Sequence, residues 1–142
     1  MPKKKFNKTP GQALRLWINA LRSGKYKQGK SKLKQRDVVH PEECLYCCLG
    51  VAKELYEKYE NKGKSLGRSG NLVLSGKNKV VCDWLGLNSP GGLFKKSPNF
   101  DTYKKLPEYQ GYCCVDLAQA NDSGVSFKVI AGFIEKYWVQ KR

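Results

Sequence analysis

The first 36 residues contain no aspartate and no glutamate. Nor does the chain contain an apolar run near the roughly 18 residues that a membrane span requires, so no membrane role is expected. The basic opening MPKKKFNKTP has no apolar stretch behind it, which argues against a secretory signal. Histidine occurs once, as His40. Carboxylates are scattered: Asp83, Asp116 and Asp122 form no pair suited to acid–base hydrolysis. No internal repeat is found, and no P-loop is expected. These absences leave no identifiable reaction, and a non-enzymatic role without cofactor or metal is expected.

What is present is positive charge, unevenly placed. The chain has 142 residues and a net charge of +15. Twelve lysines and arginines fall within residues 1–36, while residues 37–142 hold fifteen basic and twelve acidic residues. Self-repulsion on that scale disfavours compactness unless a counter-charge is near. The expected partner is therefore a polyanion: nucleic acid first, then a nucleotide or phosphate ligand, then an acidic protein face. The plainer alternative is a solubilising basic arm.

The length suits one domain. Residues 1–8 read as a basic flexible arm, and residues 9–142 as a single globular domain. Thr9 is placed as a helix N-cap, with Pro10 at the first helical position and Gln12 completing a capping box. Ala13, Leu14, Trp17, Ile18 and Leu21 have helical spacing, and Gly24 closes the helix. Residues 25–36, the most basic stretch, read as an irregular hairpin or loop-strand. Residues 42–61 are expected to be a helix with Cys48, Val51, Ala52, Leu55 and Tyr59 inward. Gly50 within it suggests close approach of another backbone. A mobile Gly/Lys loop is expected over 61–79, a short helix over 78–85, irregular structure with short strands over 88–110, and a short helix over 113–120. A turn at Asn121-Asp122-Ser123-Gly124 precedes Ser126, which caps a final helix over 127–139 with Phe127, Ile130, Ala131, Ile134 and Trp138 inward. The pattern is α+β, mostly helical, with a small or irregular sheet.

The candidate phosphate-binding residues are Lys25, Tyr26, Lys27, Lys30, Ser31, Lys32, Lys34 and Arg36. Lysines supply point charges, Ser31 a neutral donor, and Tyr26 a ring for stacking. The six cysteines are Cys44, Cys47, Cys48, Cys82, Cys113 and Cys114. Two pairs are adjacent in sequence, which favours reduced thiols of a cytosolic protein over disulfides. Cys44-x-x-Cys47 has a zinc-ligand spacing that Cys113 or Cys114 would complete, and His40 lies near three thiols in sequence. Core packing is preferred over either chemistry.

Several runs carry a resemblance. Ala20-Leu21-Arg22-Ser23-Gly24-Lys25-Tyr26-Lys27-Gln28-Gly29 is followed by Tyr46-Cys47-Cys48-Leu49-Gly50-Val51 and by Trp84-Leu85-Gly86-Leu87. Asn121-Asp122 then comes with Gly124, Ser126-Phe127 and Ile130-Ala131. Together they resemble a group of short, mostly uncharacterised proteins of tailed bacteriophages and prophages, over residues 13–138. The resemblance implies a viral accessory protein acting in bacterial cytosol, and brings no catalytic residues with it. Three roles follow as expectations: nucleic-acid binding through the basic quarter, sequestration of a nucleotide signal in anti-defence, or inhibition of an acidic host protein.

Overall fold

A computed structural model describes residues 6–30, 32–36, 38–40, 42–67, 73–74, 76–87, 117–122 and 124–135. Helix α1 (Pro10–Ser23) begins as its sequence predicts. Thr9 accepts from the Gln12 amide, and the Gln12 side chain accepts from the Thr9 amide. Gly24 ends it in the left-handed region at φ 79°. The predicted stripe from Ala13 to Leu21 is buried. Burying a Leu- or Ile-sized side chain stabilises by about 1.5–3 kcal/mol, so this face alone anchors the helix.

Three short strands follow: β1 (Lys27–Gln28), β2 (Lys34–Arg36) and β3 (Cys44–Tyr46). Their order is β1-β3-β2, with β3 parallel to β1 and antiparallel to β2. Two expectations are corrected here. Of the two readings of residues 25–36 the hairpin falls, because β3 lies between the two strands, while the short strands β1 and β2 agree with the loop-strand reading. Cys44–Tyr46, expected within a helix, is that central strand. Helix α2 (Cys48–Glu60) starts later, with Cys47 as N-cap and its sulfur accepting from the Gly50 amide. Cys48, Val51, Ala52 and Leu55 point inward as expected, Tyr59 is half-buried, and Leu49 and Tyr56 join the core.

A 3-10 turn over Gly76–Asn78 leads into α3 (Lys79–Leu85), closed by Gly86 at φ 74°. The remaining described helices are α4 (Leu117–Asp122) and α5 (Phe127–Ile134), the latter capped by Ser126. Helix α1 packs against α5, α2 and α3, so the core is helical with the sheet at its border. The fold is a small α+β arrangement of five described α-helices and one mixed sheet. No helix among the described residues is long and apolar enough to cross a membrane.

Two further segments make contacts with the rest of the domain. Asn7 and Lys8, placed in a flexible arm, donate their backbone amides to the Glu60 carboxylate. Trp84 Nε1 donates to the same carboxylate at 3.0 Å. The end of α2 thus clamps this segment to the domain; residues 1–5 lie outside the described residues. Within 61–79, expected to be a mobile loop, the Leu66 amide donates to Glu57 and Leu74 is fully buried. The irregular stretch 88–110 and Trp138 lie outside the described residues, as does the start of the helix expected over 113–120.

Candidate nucleic-acid interface

Gly29 and Leu33 flank the crossing from β1 to β2 at the end of β3, and three hydrogen bonds hold them. The Gly29 amide donates to the Tyr46 carbonyl at 2.7 Å, and the Gly29 carbonyl accepts from Asn121 Nδ2 at 2.7 Å. Leu33 is buried, and its carbonyl oxygen accepts from the Cys47 amide at 3.2 Å. That oxygen lies against Gly50, where a β-carbon would stand only 1.7 Å away. Gly50 is thus the point of close backbone approach that its place inside a helix suggests.

Beneath the crossing is a satisfied polar latch. Asn121 is fully buried; its Oδ1 accepts from the Cys48 amide and from Gln28 Nε2. Gln28 Nε2 also donates to the Val125 carbonyl, and Gln28 Oε1 accepts from the Phe127 amide. Four motif pieces therefore meet at one junction: Gln28-Gly29, Cys47-Cys48-Leu49-Gly50, Asn121 and Ser126-Phe127. Their work there is structural, since each polar group is used on another part of the chain.

The candidate residues divide around this junction. Opposite residues in a ladder share a face, and neighbours along a strand alternate. Gln28, Tyr46 and Lys34 therefore face one way, and Lys27, Leu45 and Gln35 the other. Lys34 lies 2.8 Å from Glu54 and 5.6 Å from the centre of the Tyr46 ring. That hydrogen bond to Glu54 raises the Lys34 ammonium above its ordinary value. Lys27 lies 3.5 Å from Glu43. Lys25, Lys30, Lys32 and Arg36 are exposed, and none forms an ion pair among the described residues. Tyr26 packs edge-to-face on Tyr46, ring centres 5.2 Å apart at 88°. Burial first, then Glu54, pushes both phenols upward from their ordinary value. Ser31 lies outside the described residues.

Residues 24–31, Gly-Lys-Tyr-Lys-Gln-Gly-Lys-Ser, do carry P-loop spacing, contrary to expectation. A phosphate cradle needs this pattern between a strand and a helix, with free backbone amides. Here it leaves a helix and enters a strand: Gly24 caps α1 and Lys27–Gln28 is β1. The Lys25 amide donates to Ser23 Oγ and the Gly29 amide to Tyr46. The spacing is present without the fold that gives it meaning. A separate open cavity of about 430 Å³, lined by Lys8, Gly11, Gln12, Arg15, Leu16 and Asn19, includes none of the candidate residues.

The thiols serve packing. Cys47 and Cys48 are fully buried and Cys44 is half-buried; Cys113 and Cys114 lie outside the described residues. Burial pushes the Cys47 thiol up to about 11, opposite to the shift that makes a nucleophile. No group of three potential metal ligands occurs among the described residues. His40 is exposed and 3.8 Å from Glu42.

A family model described as Domain of unknown function (DUF8296) matches residues 12–138. The chain belongs to this family. No curated protein and no solved structure matches it.

Proposed function

We propose that this protein is a non-enzymatic phage accessory protein that binds nucleic acid in the bacterial cytosol. One observation carries the reading. Lys25, Lys30, Lys32 and Arg36 are exposed and form no ion pair among the described residues, on a segment whose backbone is latched to the core by Asn121 and packed against Gly50. Cations on a held backbone bind phosphates with less ordering cost than cations on a loose arm. The bacteriophage context rests on the resemblance of the motif runs. A nucleotide-sequestering role has less support, because the cavity on α1 is not lined by these residues.

Fluorescence anisotropy with labelled oligonucleotides across a salt series tests the proposal. Binding should weaken steeply as salt rises, with little base preference. Replacing Lys25, Lys30, Lys32 and Arg36 by Gln should weaken binding and flatten the logarithmic salt slope by up to about 0.9 per lost phosphate contact. Replacing Lys27 and Lys34, which already face carboxylates, should change it less. Absence of binding at low salt would overturn the reading.

A further inference from the structure

The basic segment differs from a surface that reads duplex grooves. The major groove admits an α-helix or a two-stranded ribbon. The nearest helix start is not offered here, because the first turn of α2 is buried and Leu33 packs against it. The strands are two and three residues long, too short for a groove-following ribbon. Register turns Lys27 and Lys34 to opposite faces, so the charges do not form one plate.

The segment instead sets one ring among its cations and a second, from β3, beside it. Tyr26 lies between exposed Lys25 and Lys27, and Tyr46 stands across the ladder from Lys34. Both rings are partly exposed, and each fixes the other at a right angle before any ligand arrives. Edge-to-face pairs of this kind are favourable in themselves, so the arrangement is pre-organised. Every base has a π-face, and the bases of a single strand are free to turn onto such rings, whereas paired bases are not. Resting on the nucleic-acid reading above, we infer that the ligand is single-stranded nucleic acid, with a base stacked on the Tyr26–Tyr46 pair and phosphates on Lys25, Lys30 and Lys32.

The test measures affinity for a single-stranded homopolymer, oligo-dT, and for a duplex of equal length. It uses the full chain, Tyr26→Phe and Tyr26→Leu, with the thermal midpoint of each as a control for folding. The wild-type chain should prefer the single strand. Tyr26→Leu should weaken single-strand binding about 5- to 150-fold and leave the weaker duplex binding nearly unchanged. Tyr26→Phe should retain single-strand affinity, because it keeps the ring and loses only the hydroxyl. Nucleic-acid binding with equal single-strand and duplex affinity, or with equal loss of both in Tyr26→Leu, would overturn this inference and leave the broader reading standing. If Tyr26→Leu fails to fold, the strand preference of the wild-type chain and of Tyr26→Phe decides. No binding of either nucleic acid by the wild-type chain would overturn both.

Discussion

The carbonyl oxygen of Leu33 occupies the space where a side chain at Gly50 would begin, 1.7 Å from the ideal β-carbon position. Two opposed effects act on Gly50→Ala. Helix propensity favours alanine by about 1 kcal/mol. The contact is with backbone, which cannot swing aside as a side-chain tip can, and overpacking commonly costs about 1–3 kcal/mol. The clash should win: a lower urea midpoint is expected, and with it weaker nucleic-acid binding as the basic crossing shifts. An unchanged or higher midpoint would show that residues 29–33 do not sit on α2.

Asn121 should be far more sensitive than its place beside a turn implies. Asn121→Ala leaves the Cys48 amide, the Gly29 carbonyl and one Gln28 donor without their partner. Leaving a single buried group unpaired costs about 1–3 kcal/mol. A loss of at least about 2 kcal/mol in chemical denaturation is expected. Asp122→Ala, as the neighbouring control, should cost less.

Glu60 should govern the docking of the N-terminal segment. Glu60→Ala removes the acceptor of the Asn7 and Lys8 amides and of the Trp84 indole. Limited proteolysis before Thr9 should accelerate, and the tryptophan emission should change as the Trp84 indole loses its partner. Cleavage at the wild-type rate would show that Phe6 and its contacts hold the segment without the carboxylate.

Stability should decline at alkaline pH through the buried thiols. Burial raises Cys47 and Cys82 from 9.0 to about 11. A group that holds its proton more tightly when folded stabilises fully below its unfolded value. That contribution is lost as pH rises toward the folded value. The loss should therefore begin near pH 9 and proceed toward 11, at up to about 1.4 kcal/mol per unit for Cys47 and less for the more solvated Cys82. Denaturation midpoints of the wild-type chain and of Cys47→Ala across this range check it. Equal pH dependence of the two would remove Cys47 from the account.

Glu135 provides the opposite sign. Hydrogen bonds from Arg22 first, then Arg15, lower its carboxyl below the ordinary value. A lowered folded value means that the contribution is present above the unfolded value and fades as pH falls through the folded one. Glu135→Gln should flatten the acid limb of the stability curve, and an unchanged limb would show that these exposed pairs contribute nothing.

What could be read along the chain was whatever the chain settles within a few residues. Thr9, Pro10, Gln12 and Gly24 set the ends of α1 because capping bonds join near neighbours, and the spacing from Ala13 to Leu21 selects its buried face. Ser126 and Gly86 mark α5 and α3 for the same reason. Gly50 signalled a close approach, but not to what. Cys44–Tyr46 could not be resolved locally: a short apolar run beside an amphipathic helix fits either state, and pairing with β1 and β2 decided for strand. The P-loop spacing at residues 24–31 lost its meaning for the same reason, once a helix preceded it and a strand ran through it. Only the tertiary structure showed which of these lysines face carboxylates, because Lys34 meets Glu54 and Lys27 meets Glu43 across turns of the fold. It also gave Asn121 its role, since its partners Gln28 and Gly29 lie more than ninety positions away and come together only when the helices pack.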